Sequence, residues 1–378
     1  MPKTARIPIT NFYMEGDYTA SILVGPQQQP MNVILDTGSS ALALDGKKYT
    51  PNLAGGDQTT DLAQTDAYGD NSSWTGAVIK TRISVGQGNS AVALNDANAS
   101  VAYQASPNMF NGSDGILGLA YAPLDDAFSM PQNTWAHKFS ETQVRAGKHG
   151  DIQPYLTQLA GEGITSDIIS FLTHRSFIHA GNGGLNDPLN QGWMVVGGGE
   201  ECTDLYTGGF ANVKVVSDDW YSTTLKAVVV GTSDPISARM QGPKGAPSNS
   251  IVDSGTNSLC MSRQMLDAFL SKFTAEQQAL LTKSISGKSV SNADLNLAAW
   301  PALTFILEGD TGDVSLKVAP SDYWQVDTEE VGAAAVAISE GDPGFTILGL
   351  PLMNGYFTVF DGEAAGGLGL IRFASKKA

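Results

Sequence analysis

The chain has 378 residues and a formal net charge of −16 at pH 7, because 38 acidic side chains outnumber 22 basic ones. An acidic surface repels nucleic-acid phosphates and anionic lipid headgroups, which argues against both as partners. Hydrophobic residues make up 42% of the chain and charged residues 16%, a balance typical of globular domains. No apolar run approaches the roughly 18 residues of a membrane-spanning helix.

Short runs rich in Val, Ile, Thr and Leu recur between clusters of Gly, Asn, Asp and Pro, which predicts an all-β protein. In chain order the predicted strands cover residues 18–25, 31–35, 77–86, 193–198, 225–231, 250–253, 303–307 and 357–361. Helical patterns are sparse. Residues 151–160 predict a weak helix with Pro154 in its first turn, and apolar residues recur at about every fourth position over 264–285.

Two short motifs each occur twice, in the same order. The segment VILDTGSS at 33–40 is echoed by SIVDSGTN at 250–257, and both are an apolar strand followed by Asp, a hydroxyl residue, Gly and a second hydroxyl residue. An Ile-Leu-Gly element follows each copy, at 116–118 and at 347–349. The repeated order predicts an internal duplication. We place the lobe boundary near Leu205, which predicts an N-terminal lobe of 1–205 and a C-terminal lobe of 206–378.

The repeated Asp suits acid–base chemistry if the two copies meet. A single copy also fits an ordinary Asx-type turn. Two copies related by an approximate two-fold axis would bring Asp36 and Asp253 face to face. Two carboxyls that share one site cannot both ionise readily, so such a pair holds a single proton. The pair can then take a proton from a bound water and give one to a substrate carbonyl oxygen, which hydrolyses an amide without a metal or a covalent intermediate.

Over nearly its whole length the chain resembles the pepsin-like aspartic endopeptidases. The resemblance lies in DTGSS at 36–40, DSGT at 253–256, the two Ile-Leu-Gly elements, and YFTVFD at 356–361 as the closing strand. It implies a bilobal all-β fold, with two pseudo-two-fold-related lobes and a few short helices. It also implies an extended peptide or protein substrate, and binding of a statine-type inhibitor whose hydroxyl imitates the attacking water.

The resemblance further implies roles for individual motif residues. Asp36 and Asp253 are the expected catalytic pair. Thr37 and Ser254 are expected to form an inter-lobe hydrogen-bond grip beneath the pair. Ser39 and Thr256 are each expected to support the outer carboxyl oxygen of the Asp in their own motif. The two motif glycines are expected to offer backbone groups to the peptide: Gly38 and Gly255.

The family also has a flap, a β-hairpin with a tyrosine that closes over the cleft and excludes water. Tyr68 and Gly69, followed by WTG at 74–76, match this flap and are expected to bind substrate, although an ordinary strand aromatic is the alternative for Tyr68. The segment is slightly longer than the usual flap. Ala43 stands where the family has a tryptophan that hydrogen-bonds the flap tyrosine. Either Trp74 substitutes for that anchor or the flap is looser.

Other residues give no signal for a cofactor or a metal, and none is predicted. The four histidines are scattered, without the spacing of metal ligands, at His137, His149, His174 and His179. No GxSxG elbow is present, which argues against a serine hydrolase. The two cysteines, Cys202 and Cys260, are either buried thiols or one disulfide.

The N-terminal segment has no apolar core of signal-peptide length, and a predicted strand begins within twenty residues of Met1. Pepsin-like enzymes of eukaryotes generally carry a signal and a basic pro-segment. With so few cysteines, the chain is most similar to the bacterial pepsin homologues, the shewasin-like proteins. These observations predict a cytoplasmic location, and a secreted or periplasmic one if a leader has been removed.

The sequence therefore predicts a monomeric aspartic endopeptidase, active at acid pH and sensitive to pepstatin-type inhibitors. The main alternative is a non-catalytic binding or inhibitor protein on the same scaffold, which would lose one Asp or its support. A retroviral-type protease has one motif in each chain, whereas this chain contains both.

Overall fold

The computed structural model describes residues 2–13, 17–69, 71–110, 112–238 and 248–377. Within these ranges β-strands dominate and the α-helices are short, which confirms the predicted all-β class. The longest described α-helix has 11 residues, and no described helix has the length and hydropathy that a bilayer crossing requires.

Ten strands lie in the described chain up to residue 151. They are β1 (Ala5–Thr10), β2 (Thr19–Val24), β3 (Gln29–Asp36), β4 (Leu42–Asp45), β5 (Gln58–Ala67), β6 (Ser73–Val85), β7 (Val92–Ala105), β8 (Gly115–Gly118), β9 (Asp126–Ser129) and β10 (Lys148–Asp151).

Later strands are shorter on average and more numerous. They are β11 (Ile168–Leu172), β12 (Gln191–Val196), β13 (Tyr206–Lys214), β14 (Ser222–Thr223), β15 (Leu225–Val230), β16 (Ile236–Ser237), β17 (Ser250–Val252), β18 (Leu259–Ser262), β19 (Val290–Ser291), β20 (Leu303–Glu308), β21 (Asp313–Val318), β22 (Trp324–Val326), β23 (Ala333–Val336), β24 (Ile338–Gly341), β25 (Thr346–Leu348), β26 (Tyr356–Asp361) and β27 (Leu370–Lys376).

The described α-helices connect strands or cover them. They are α1 (Thr134–His137), α2 (Glu141–Arg145), α3 (Tyr155–Gly161), α4 (Arg263–Leu270), α5 (Ala275–Ile285), α6 (Pro320–Tyr323) and α7 (Leu350–Met353).

The chain forms two compact units. The first contains Met1–Ile7, Thr19–Asp167 and Val195–Gly198, and the second contains Pro8–Tyr18, Ile168–Met194 and Gly199–Ala378. Neither unit is one continuous segment of the chain. For example, β11 belongs to the second unit, where it pairs along its length with β26. The boundary near Leu205 concerns the duplicated lobes and stays a prediction.

In the first unit the strands are hydrogen-bonded in the order β10-β9-β5-β6-β7-β4-β8-β3-β2. β3 and β8 are parallel, with Asp36 opposite Gly118. The end of β3 is a continuous run of buried apolar residues, Val33, Ile34 and Leu35, as expected for a strand that is covered on both faces. The buried strand therefore delivers Asp36 to a fixed position at its end.

In the second unit one sheet has the order β14-β17-β25-β18-β24, and β17 and β25 are parallel, with Val252 opposite Leu348. Two smaller sheets have the orders β16-β15-β20-β21 and β19-β23-β22. All three residues of β17 are buried, and Asp253 follows immediately. A pair of parallel strands thus ends at Asp36 in the first unit and immediately before Asp253 in the second.

Each predicted strand overlaps an observed one, but the helical predictions need two corrections. The pattern over 264–285 is not one helix, because α4 ends at Leu270 and α5 begins at Ala275. Thr274 caps α5 in a capping box with Gln277, so the chain restarts a helix there. The other helix, α3, begins only after Pro154, which is its N-cap.

Candidate active site

The Asp36 loop, residues 36–40, holds its carboxylate through both oxygens. Asp36 is 7% exposed. The backbone N–H of Gly38 donates to Oδ1 at 2.8 Å, and the hydroxyl of Ser39 donates to Oδ2. The local chain thus supplies one donor to each oxygen, which fixes the plane of the carboxylate.

The Asp253 loop, residues 253–257, repeats this arrangement in the second unit. Asp253 is 6% exposed. The backbone N–H of Gly255 donates to Oδ1 at 2.9 Å, and the hydroxyl of Thr256 donates to Oδ2 at 2.6 Å. The structure therefore brings the predicted residues of each motif together within their own loop.

The glycine of each Ile-Leu-Gly element lies directly against the backbone of the neighbouring loop. A Cβ atom on Gly118 would lie 2.4 Å from the carbonyl carbon of Ser40, and one on Gly349 would lie 2.2 Å from the carbonyl oxygen of Thr256. Backbone atoms cannot move aside as a flexible side chain can, so only glycine permits this approach. The two glycines therefore allow the Ile-Leu-Gly elements to pack directly against the loops that carry Asp36 and Asp253.

Hydrogen bonds join the same elements. In the first unit the N–H of Leu119 donates to the carbonyl oxygen of Asp36 at 2.8 Å. In the second unit the N–H of Asp253 donates to Leu348 at 3.1 Å, and that of Leu350 donates to Thr256 at 2.8 Å. Thr37 and Ser254 are almost fully buried within their loops, and their role in a grip stays a prediction.

The flap tyrosine sits in the turn between β5 and β6, and its N–H donates to the carbonyl oxygen of Ser72 at 2.9 Å. Its hydroxyl accepts a hydrogen bond from Nε1 of Trp74 at 3.4 Å. Burial raises the pKa of Tyr68 above its ordinary value of 10.0, so the hydroxyl keeps its proton. Tyr68 is thereby connected to β6 through Trp74.

Of the two alternatives for the flap anchor, the structure has the first, in which Trp74 bonds Tyr68. Ala43 lies fully buried in β4, opposite Ser100 and Ile116, and its methyl group offers no donor. Gly69 is exposed, and a Cβ atom placed on it would meet nothing within 4 Å. Its expected role in substrate binding stays a prediction.

One buried polar network was missed by the sequence reasoning. Gln64 of β5 donates from Nε2 to Oδ1 of Asp125 at 2.7 Å, and Ser100 of β7 donates to Oε1 of Gln64 at 2.6 Å. Asp125 is 3% exposed, and burial raises its pKa to about 7. The pKa of Asp66, two residues before Tyr68, is also raised by burial. No local pattern links three such distant segments.

The cysteines and histidines have structural surroundings. Cys202 and Cys260 are not joined by a disulfide, and the Ser339 hydroxyl donates to Sγ of Cys260 at 3.2 Å. Two histidines are paired with carboxylates, His149 with Asp126 and His179 with Asp187, each at 2.6 Å. In the part of the chain that the structure describes, no group of three His, Cys, Asp or Glu side chains could hold a metal ion.

Sequence comparisons cover both loops. The family model described as Eukaryotic aspartyl protease matches residues 17–140 and 184–371. Gastricsin of Mus musculus is 25% identical over 371 residues, covering 92% of this chain and 79% of that protein. Pepsin B of Canis lupus familiaris is 24% identical over 375 residues, covering 94% and 80%. Rhizopuspepsin-2 of Rhizopus niveus is 22% identical over 375 residues, covering 95% and 80%.

Proposed function

We propose that this chain, which belongs to the eukaryotic aspartyl protease family, is an endopeptidase that cleaves extended peptides at acid pH. Family membership supports a hydrolase of the peptidase class. One observation carries the finer proposal. In both loops, Oδ1 of the Asp accepts the N–H of the motif glycine and Oδ2 accepts the hydroxyl three residues later.

In the proposed reaction, Asp36 and Asp253 hold a water between them and share one proton. One carboxylate takes a proton from the water as the water oxygen attacks the substrate carbonyl carbon, and the other carboxyl gives its proton to the carbonyl oxygen. One hydroxyl of the resulting diol returns a proton to the pair while the pair protonates the nitrogen, and the C–N bond breaks. The pair again holds one proton, and no bond to the protein has formed.

The donors around each carboxylate support this exchange. Hydrogen bonds from N–H and O–H groups stabilise the ionised form of a carboxylate and hold it in one orientation. Proton transfer to or from a water requires such an orientation within hydrogen-bonding distance. Since the pair must keep one proton, activity is expected at acid pH, and a statine-type hydroxyl is expected to bind where the water lies.

The alternative, a non-catalytic binding protein on the same scaffold, is not favoured, because both Asp residues and both supporting hydroxyls are present. Our proposal includes a monomeric enzyme in the cytoplasm, of the bacterial shewasin-like type. Size-exclusion chromatography and fractionation of the source cells test these parts.

Peptide cleavage between about pH 3 and 7, with and without a pepstatin-type inhibitor, tests the function. Asp36→Asn and Asp253→Asn keep the side-chain shape and should each lower kcat by about 100- to 10,000-fold. Asp61→Asn, an exposed substitution in β5, is the control and should cleave like the unaltered chain. Normal cleavage by either active-loop variant, with an unchanged melting temperature, would refute the mechanism.

A further inference from the structure

A cleft of about 450 Å³ lies in the first unit, and none of the described residues that line it belongs to an Asp loop. Its volume falls within the range of small-molecule sites. The side chains that line it include two cations, one hydroxyl and several apolar groups: Lys3, Arg82, Ser84, Val92, Ala93 and Ile164. We call it the Lys3–Arg82 cleft.

Strand β6 supplies two of its polar groups. Arg82 and Ser84 are two residues apart on the strand, so their side chains share one face. Ser84 lies opposite Leu23 of β2 and Ala93 of β7, which holds the strand on both edges. Its side chain is 5% exposed, and within the described ranges its hydroxyl has no hydrogen-bond partner. This hydroxyl is therefore available to a ligand.

The two cations come from separate segments with fixed backbones. The N–H of Lys3 donates to the carbonyl oxygen of Ile164 at 2.7 Å, and the carbonyl oxygen of Arg82 accepts the N–H of Gly25 at 2.8 Å. The guanidinium of Arg82 donates from Nη1 to Oδ1 of Asn95. Since a guanidinium carries five N–H donors, the others stay available.

The charge of the cleft is opposite to that of the whole chain, which is −16. None of its described lining residues is Asp or Glu. In the described part of the chain neither Lys3 nor Arg82 forms an ion pair with a carboxylate, whereas Lys226 pairs with Asp313. Two cations that share one cleft repel each other, and a bound anion would offset that repulsion.

We propose that the Lys3–Arg82 cleft binds a phosphate monoester with a small apolar body. The three terminal oxygens of the phosphate match three kinds of donor, which are the Arg82 fork, the Lys3 ammonium and the Ser84 hydroxyl. The apolar body would pack against Val92 and Ile164. A carboxylate has only two oxygens and one charge, so it matches this set of donors less well. The site goes beyond the proposed peptidase function.

Titration calorimetry of the full chain with phenyl phosphate at about pH 7 tests the site, because a phosphate monoester is there close to doubly charged. Arg82→Gln and Lys3→Gln should each weaken binding by about tenfold or more, the loss of a charge-assisted hydrogen bond. Ser84→Ala should weaken it by about fivefold. Lys80→Gln, an exposed change on the same strand, is the control for net charge and should bind like the unaltered chain.

Equal affinity of Arg82→Gln and Lys80→Gln, at unchanged melting temperature, would overturn the proposal, as would no binding to the unaltered chain. Two further probes test the ligand class. Inorganic phosphate lacks the apolar body and benzoate lacks the third oxygen, so both should bind several-fold more weakly than phenyl phosphate. Equal binding of inorganic phosphate would reject the apolar body, and tighter binding of benzoate would reject the phosphate. No arm measures cleavage, so the result is independent of the proposed function.

Discussion

The Asp36 loop and the Asp253 loop hold their carboxylates alike, but the units around them differ. The first unit contains the flap, in which the Tyr68 hydroxyl accepts a hydrogen bond from Trp74 at 3.4 Å. In the second unit, the carbonyl oxygen of Thr256 accepts a hydrogen bond from the N–H of Leu350 at 2.8 Å. The common parts are therefore the strand, the Asp and the close glycine. The first unit contains in addition the hydrogen-bonded pair of Tyr68 and Trp74 and the buried Asp125.

The largest expected effect is on the pH dependence of stability, and it concerns Asp125, a buried acid that only the first unit contributes. Burial raises the folded-state pKa of Asp125 to about 7 from its ordinary 3.8, so the folded chain keeps a proton that the unfolded chain loses. The free energy of unfolding should thus fall by about 4 kcal/mol as pH rises from about 4 to about 7. Asp125→Asn keeps the acceptor for Gln64 and should flatten this dependence.

Urea unfolding of the full chain at several pH values, followed by tryptophan fluorescence, measures that slope. Asp61→Asn, on exposed β5 surface, should leave it unchanged. An Asp125→Asn variant with the same slope as the unaltered chain would show that Asp125 does not hold its proton.

The next effect concerns what the two loops share. Gly118→Ala and Gly349→Ala place a Cβ atom on the backbone of Ser40 and of Thr256, and each should cost about 3 kcal/mol of stability. Both should also lose activity, because the loop must shift. Each unit offers a control, since Gly161 and Gly209 have open space around them and should tolerate Ala. Melting temperatures decide this, and equal stability of Gly118→Ala and Gly161→Ala would contradict the close approach.

The smallest effect tests a feature that the two loops share. Ser39→Ala and Thr256→Ala each remove the donor to Oδ2 and should cost about 2 kcal/mol in kcat/KM. Because the two hydroxyls are placed alike, the two losses should be about equal. Steady-state kinetics at acid pH compare the two variants. A loss confined to one variant would mean that the two carboxylates do not depend alike on their hydroxyl donors.

Much of each loop could be predicted from the sequence, because the contacts are local. The glycine and hydroxyl donors lie two and three residues after each Asp, so the motif itself contains the geometry. Trp74 was only one of two alternatives, because its approach to Tyr68 depends on the register of β5 and β6. The bond between Gln64 and Asp125 joins residues 61 apart, for which no periodic pattern exists. The break before α5 was missed because the apolar spacing continues across it.

The parallel pairing beside each Asp has a consequence for folding kinetics. Asp36 meets Gly118 more than 80 residues along the chain, and Val252 meets Leu348 more than 90 residues along it. Contacts of such high sequence separation form slowly, because closing a long loop costs entropy before the contact stabilises it. The parallel partner strand of each Asp strand is therefore expected to join it late in folding.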